Sequence, residues 1–102
     1  MTRQIINGKK YDTDTAKFIE NSTSHQPTDF RYFTETLFQK KTGEFFIFGQ
    51  GGALSKYAVP GETGGWQFGA AFTPLTENNA KTWVEEHSDV DLYEELFGEV
   101  SE

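Results

Sequence analysis

The sequence predicts an α+β fold: an antiparallel sheet of three to five strands with a central hairpin, packed by one short N-terminal helix and two C-terminal helices. Three observations predict it. Between Asp29 and Ala58, two runs rich in aromatic and β-branched residues, Tyr32 to Phe38 and Phe45 to Phe48, flank the polar turn Lys40-Lys41-Thr42-Gly43-Glu44. That is the pattern of a hairpin, with Gly43 free to take a positive φ. Trp66, Phe68, Ala70 and Phe72 alternate with period two and mark a further strand over Trp66 to Thr73, ended by Pro74. After residue 76 the period lengthens, and Ala80, Trp83, Val84 and His87 fall at the i, i+3, i+4, i+7 spacing of one helix face.

Taken in order, Gln4 to Ile6, Asn7-Gly8 and Lys9 to Tyr11 read as a short hairpin, because Asn-Gly is the strongest two-residue turn signal. Asp12, Thr13 and Asp14 offer N-caps for a helix of two turns ending near Asn21, with Ala16 and Ile19 on one face. Asn21 to Asp29 is a loop by composition, and Pro27 keeps Gln26 out of the helical region. The central strands are apolar on both faces, with Tyr32 and Phe38 on one and Phe33 and Leu37 on the other. A sheet of that kind needs cover on both sides. We expect helices on one side and packed loops or a partner on the other. The second strand runs into Gly49, Gly51 and Gly52, read as a flexible turn carrying Ser55, Lys56 and Tyr57; residues 59–65 form a second loop. Thr76 caps the helix over 77–87, with Leu75 stapled onto Ala80, and Ser88 with Asp91 makes a capping box for a helix over Asp89 to Phe97, closed by Gly98.

Composition narrows the function. A chain of 102 residues is one domain, 1–102, that buries about 60 to 65% of its unfolded surface. Leu, Ile, Val and Phe total 23, of which 10 are Phe, so the core is aromatic. Cysteine is absent, which removes disulfides and thiolate metal sites and fits a reducing cytoplasm better than a secretory route. No apolar run approaches a membrane span. The net charge of −7 is lopsided: residues 1–76 carry 7 acidic and 8 basic groups, whereas residues 77–102 carry 9 acidic groups against Lys81. A duplex-binding surface needs clustered bases, so this asymmetry argues against one and leaves open binding to something basic.

The chemical motifs are negative. GxGxxG would need glycine where Leu54 stands, and Gly-Gln-Gly-Gly-Ala-Leu-Ser-Lys does not match GxxxxGK[ST], so a phosphate loop gives way to a turn or bulge that only glycine fits. His25 lies in a polar loop and His87 at a helix end, without the further ligands a metal needs. No nucleophile elbow is present. The carboxylate pairs Glu85 with Glu86, Asp89 with Asp91, and Glu94 with Glu95 lie on helix faces open to water, where catalytic pKa shifts do not arise. We therefore expect no enzyme, no cofactor and no metal. A row of carboxylates on short helices can instead imitate the phosphates of a nucleic acid and enter a basic groove. The candidate binding residues are Gly49, Gly51, Gly52, Ser55, Lys56 and Tyr57 at the hairpin exit, and Glu85, Glu86, Asp89, Asp91, Glu94 and Glu95 on the helices. A rival reading places single-stranded nucleic acid on the hairpin, where Arg31, Tyr32, Lys40, Lys41, Lys56 and Tyr57 mix bases with rings. A plain structural or dimerisation module, a homodimer, is a third.

Four segments carry a family resemblance: Gly8 to Ala16 (GKKYDTDTA), Asp29 to Ala58 (DFRYFTETLFQKKTGEFFIFGQGGALSKYA), Pro74 to Trp83 (PLTENNAKTW) and Tyr93 to Glu99 (YEELFGE). They resemble short uncharacterised proteins encoded on phages, plasmids and conjugative elements of Gram-positive bacteria, departing from that pattern at Phe38 and Phe48. The resemblance implies a setting like that of anti-CRISPR inhibitors: a small acidic protein that binds a CRISPR effector with a basic groove, with possible contact to its guide RNA.

Overall fold

The computed structural model describes residues 2–26 and 28–99. Strands β1 (Arg3–Ile6) and β2 (Lys9–Asp12) form the first hairpin. Asn7 and Gly8 sit at φ 51° and 79°, as a turn with two left-handed residues requires. The expected helix over 13–21 is absent. The Asp12 carboxylate, which was to cap it, accepts the Asp14 amide at 2.8 Å instead, and the Ala16 amide bonds back to the Asp12 carbonyl at 3.2 Å. This closed turn sends the chain into strand β3 (Lys17–Ser24), which takes in the first part of the segment read as a loop. Pairing along β4 outweighs the weak helix propensity of a two-turn segment.

Strands β4 (Phe33–Gln39) and β5 (Phe45–Gly51) form the central hairpin. Its turn is closed by the Lys40 amide on the Glu44 carbonyl at 2.8 Å, with Gly43 at φ 95°. A separate ribbon pairs β6 (Val59–Pro60) with β7 (Trp66–Gln67), and β8 (Gly69–Leu75) then joins the main sheet. The strand predicted from Trp66 to Thr73 is therefore split at Phe68, and it runs on through Pro74, because an edge strand tolerates a missing amide on its free side. The main sheet has the antiparallel order β3-β4-β5-β8.

Helices α1 (Glu77–His87) and α2 (Val90–Phe97) cover one face. Thr76 caps α1 as predicted, accepting the Asn79 amide at 3.1 Å. The cap of α2 is Asp89 rather than Ser88, accepting from Leu92 at 3.0 Å. Beneath the helices Leu37, Phe45, Ile47, Ala80, Trp83 and Val84 are buried together. The opposite face holds Tyr11, Phe38, Phe46 and Phe72, and its cover is the β1–β2 hairpin. Tyr11 meets Phe46 edge-on at 5.3 Å, Lys40 Nζ lies 3.7 Å over the Tyr11 ring, and Lys9 reaches Glu44 at 2.7 Å. No described helix is long and apolar enough to cross a membrane.

If the first hairpin is the lid of the second core, Tyr11→Ala should lower stability in urea denaturation by about 2–4 kcal/mol. Ile5→Ala, at a side chain 63% exposed, should change it by less than about 0.5 kcal/mol.

Candidate functional site

In the register of β4, Phe33, Glu35 and Leu37 face the helices, so a carboxylate stands in a row of core positions. Glu35 is 4% exposed. A carboxylate at that depth requires partners, and three segments supply them. Lys56 Nζ lies 2.7 Å from Oε2, the Tyr57 hydroxyl donates to the same oxygen, and Trp83 Nε1 donates to Oε1 at 3.1 Å.

The glycines explain how the loop reaches that far. Gly49 is the cross-strand neighbour of Glu35, and a Cβ there would collide with the Tyr57 ring, which lies across β5 in the space a side chain would take. At Gly51 a Cβ would come within 2.5 Å of Ser55 Oγ. Gly52 packs on the Phe30 carbonyl, 2.7 Å from where its Cβ would be. The loop expected to be flexible is tied down. Gly52 donates to the Tyr32 carbonyl at 2.8 Å, Leu54 to the Phe30 carbonyl at 2.8 Å, and Ser55 Oγ to the Gly52 carbonyl at 2.8 Å while accepting from the Tyr57 amide at 3.2 Å. Gly49 thus seats an aromatic ring, and Gly51 and Gly52 let the loop pack against Ser55 and the Phe30 backbone.

Burial opposes ionisation of Glu35, but the hydrogen bonds from Lys56, Tyr57 and Trp83 more than offset it and hold the carboxyl below its ordinary value. Burial, together with the Glu35 carboxylate, pushes the Tyr57 hydroxyl well above the usual phenol range, so it remains a donor.

Between α1 and β8 the network borders a groove of about 610 Å³. Phe33, Ile47, Tyr57, Leu75 and Trp83 line it, together with the exposed residues Ala71, Thr73, Glu86 and His87. The His87 ring lies 4.6 Å from that of Trp83, and its Nδ1 donates to the Trp83 carbonyl at 2.9 Å. Lys56 and Tyr57 thus line one groove with Glu86, a member of the acidic set, while Ser55 braces the loop that carries them. Glu85, Asp89, Asp91 and Glu95 are exposed farther along the helices, and Glu94 is half-buried. Lys81, the base of that region, points at the Phe97 ring 5.6 Å away. Among the described residues no cluster of His, Asp and Glu is arranged to hold a metal ion.

Sequence reasoning passed over Glu35 and Trp83. The available signal was an acid between Phe33 and Leu37 on the core face of a strand, which demands a buried partner. It also placed Trp66 and Phe68 in a strand whose pattern implied burial. They are 62% and 57% exposed, and Trp66 lines a shallow pocket with exposed Leu54. No family model, curated protein or solved structure matches the chain.

Two outcomes test the network. Glu35→Ala strands the Trp83 and Tyr57 donors and should cost about 2–4 kcal/mol in urea unfolding. Because the folded carboxyl titrates below its ordinary value of 4.5, its contribution is complete above that value and is lost as pH falls through the lower, folded value. The wild type should therefore lose more stability on acidification than Glu35→Gln. Gly49→Ala should displace Tyr57 and cost about 1–3 kcal/mol, with a rise in amide exchange confined to residues 52–58.

Proposed function

We propose that this protein is a non-enzymatic inhibitor in the manner of anti-CRISPR proteins, binding a CRISPR effector through an acidic surface that takes the place of nucleic acid in a basic groove. The observation that carries this reading is that Glu85, Glu86, Asp91 and Glu95 are exposed on two packed helices and make no ion pair among the described residues. Unmatched carboxylates on a rigid support present a fixed negative field, which steers a basic partner and loses strength with salt. The reading also draws on the sequence resemblance to proteins of mobile elements, and it places the protein in the cytoplasm of a bacterial host.

The hairpin supports the nucleic-acid alternative less well. Arg31 is held by Asp29 at 2.7 Å, Lys56 by Glu35 at 2.7 Å, and Lys40 lies over Tyr11. A base already facing a carboxylate or a ring has less to offer a phosphate.

Reversing Glu85, Asp91 and Glu95 to Lys, which leaves the Asp89 cap of α2 intact, should abolish capture of the effector from a host with an active CRISPR system, and with it protection of an invading plasmid. Wild-type capture should weaken steeply as salt is raised. Undiminished capture by the reversed variant would overturn the reading, and recovery of RNA without an effector, or of a second copy alone, would favour the alternatives.

A further inference from the structure

The groove over Glu35 has a charge balance its own residues do not complete. Glu35 and Glu86 bring two carboxylates, and Lys56 brings one ammonium, committed to Glu35 at 2.7 Å. Glu86, also in the lining, is exposed and has no partner among the described residues. The groove's rings already accept a cation, for Lys56 Nζ stands 5.2 Å from the Phe33 centroid and 5.6 Å from that of Tyr57. The lining residues Ile47 and Leu75 are apolar and suit an alkyl stem.

We propose that this groove receives one arginine side chain from the protein partner, with its stem on Ile47 and Leu75 and its guanidinium forked on Glu86 beside the Tyr57 and His87 rings. Arginine fits better than lysine because the planar guanidinium stacks on rings and meets a carboxylate with two parallel hydrogen bonds. A basic partner is what the acidic-surface reading supplies, and the site rests on that reading for its source of arginine. The volume of about 610 Å³ is ample for one such side chain.

The test titrates the intact protein with N-acetyl-arginine amide, followed by NMR, with the lysine analogue and the neutral isostere N-acetyl-citrulline amide as comparators. Arginine amide should shift the Trp83 indole N–H and the Thr73 amide and leave exposed Trp66 unmoved. The lysine analogue should bind more weakly and citrulline amide should not bind. Glu86→Gln should weaken arginine binding about tenfold, the loss of one charge-assisted fork. Thr73→Trp, on the exposed side of an edge strand, should block the groove while leaving the melting temperature near that of the wild type.

Equal shifts with citrulline amide, an unchanged affinity in Glu86→Gln, or shifts centred on Asp91 and Glu95 would overturn the site. The two readings fail separately, because the reversal of the outer carboxylates Glu85, Asp91 and Glu95 leaves Glu86 in place. Absent arginine binding with effector capture still abolished by that reversal removes the groove alone. Intact arginine binding with capture unaffected removes the acidic-surface reading alone.

Discussion

The structure depends on the carboxylate of Glu35 and its three donors. An ionised group beneath a helix is tolerable only when its oxygens are satisfied, and removing one partner costs several times what an exposed pair is worth. Here the donors come from distant parts of the chain: Lys56 and Tyr57 from the loop after β5, and Trp83 from the middle of α1. One buried charge therefore fixes where the loop lies on the sheet and where α1 crosses it. The groove between α1 and β8 follows from both placements.

Around that anchor the protein builds two cores from aromatic material. One lies under the helices, where the Phe45 and Phe97 rings stand 5.4 Å apart; the other lies under the first hairpin, where Phe38 stacks on Phe46 at 5.2 Å. A sheet this thin in aliphatic residues needs both covers, and its rings are spent mainly on packing. What the packing does not use is the outer carboxylates of α1 and α2 and the exposed lining of the groove, and on the proposed reading these make the contacts. Leu54, Trp66 and Phe68 are also exposed, and the first two line a pocket with Lys56.

Where local chemistry decided the structure, it could be read from sequence. Asn7-Gly8, Gly43 and Thr76 each act through their own backbone or their nearest neighbours, and each stands where it was placed. Where long-range pairing decided, reading failed. Residues 17–24 hold enough β-branched and hydroxyl side chains to form a strand, but that choice is made by β4, which no local signal reveals. The candidate site divides in the same way. Ser55, Lys56, Tyr57 and Glu86 were named for their residue types, yet what joins them is the register that sets Glu35 opposite Gly49. The glycines needed the folded partner to be understood, since Gly49 exists for the ring of Tyr57.

The most direct test of this account is a pH titration by NMR that follows the Glu35 side-chain carboxyl carbon together with the Trp83 and Trp66 indole N–H signals. The account predicts a Glu35 midpoint below 4.5, with the Trp83 indole moving in step and the Trp66 indole unaffected. A Glu35 midpoint at or above 4.5, with both indoles indifferent to it, would contradict the claim that this carboxylate holds the loop and the helix together.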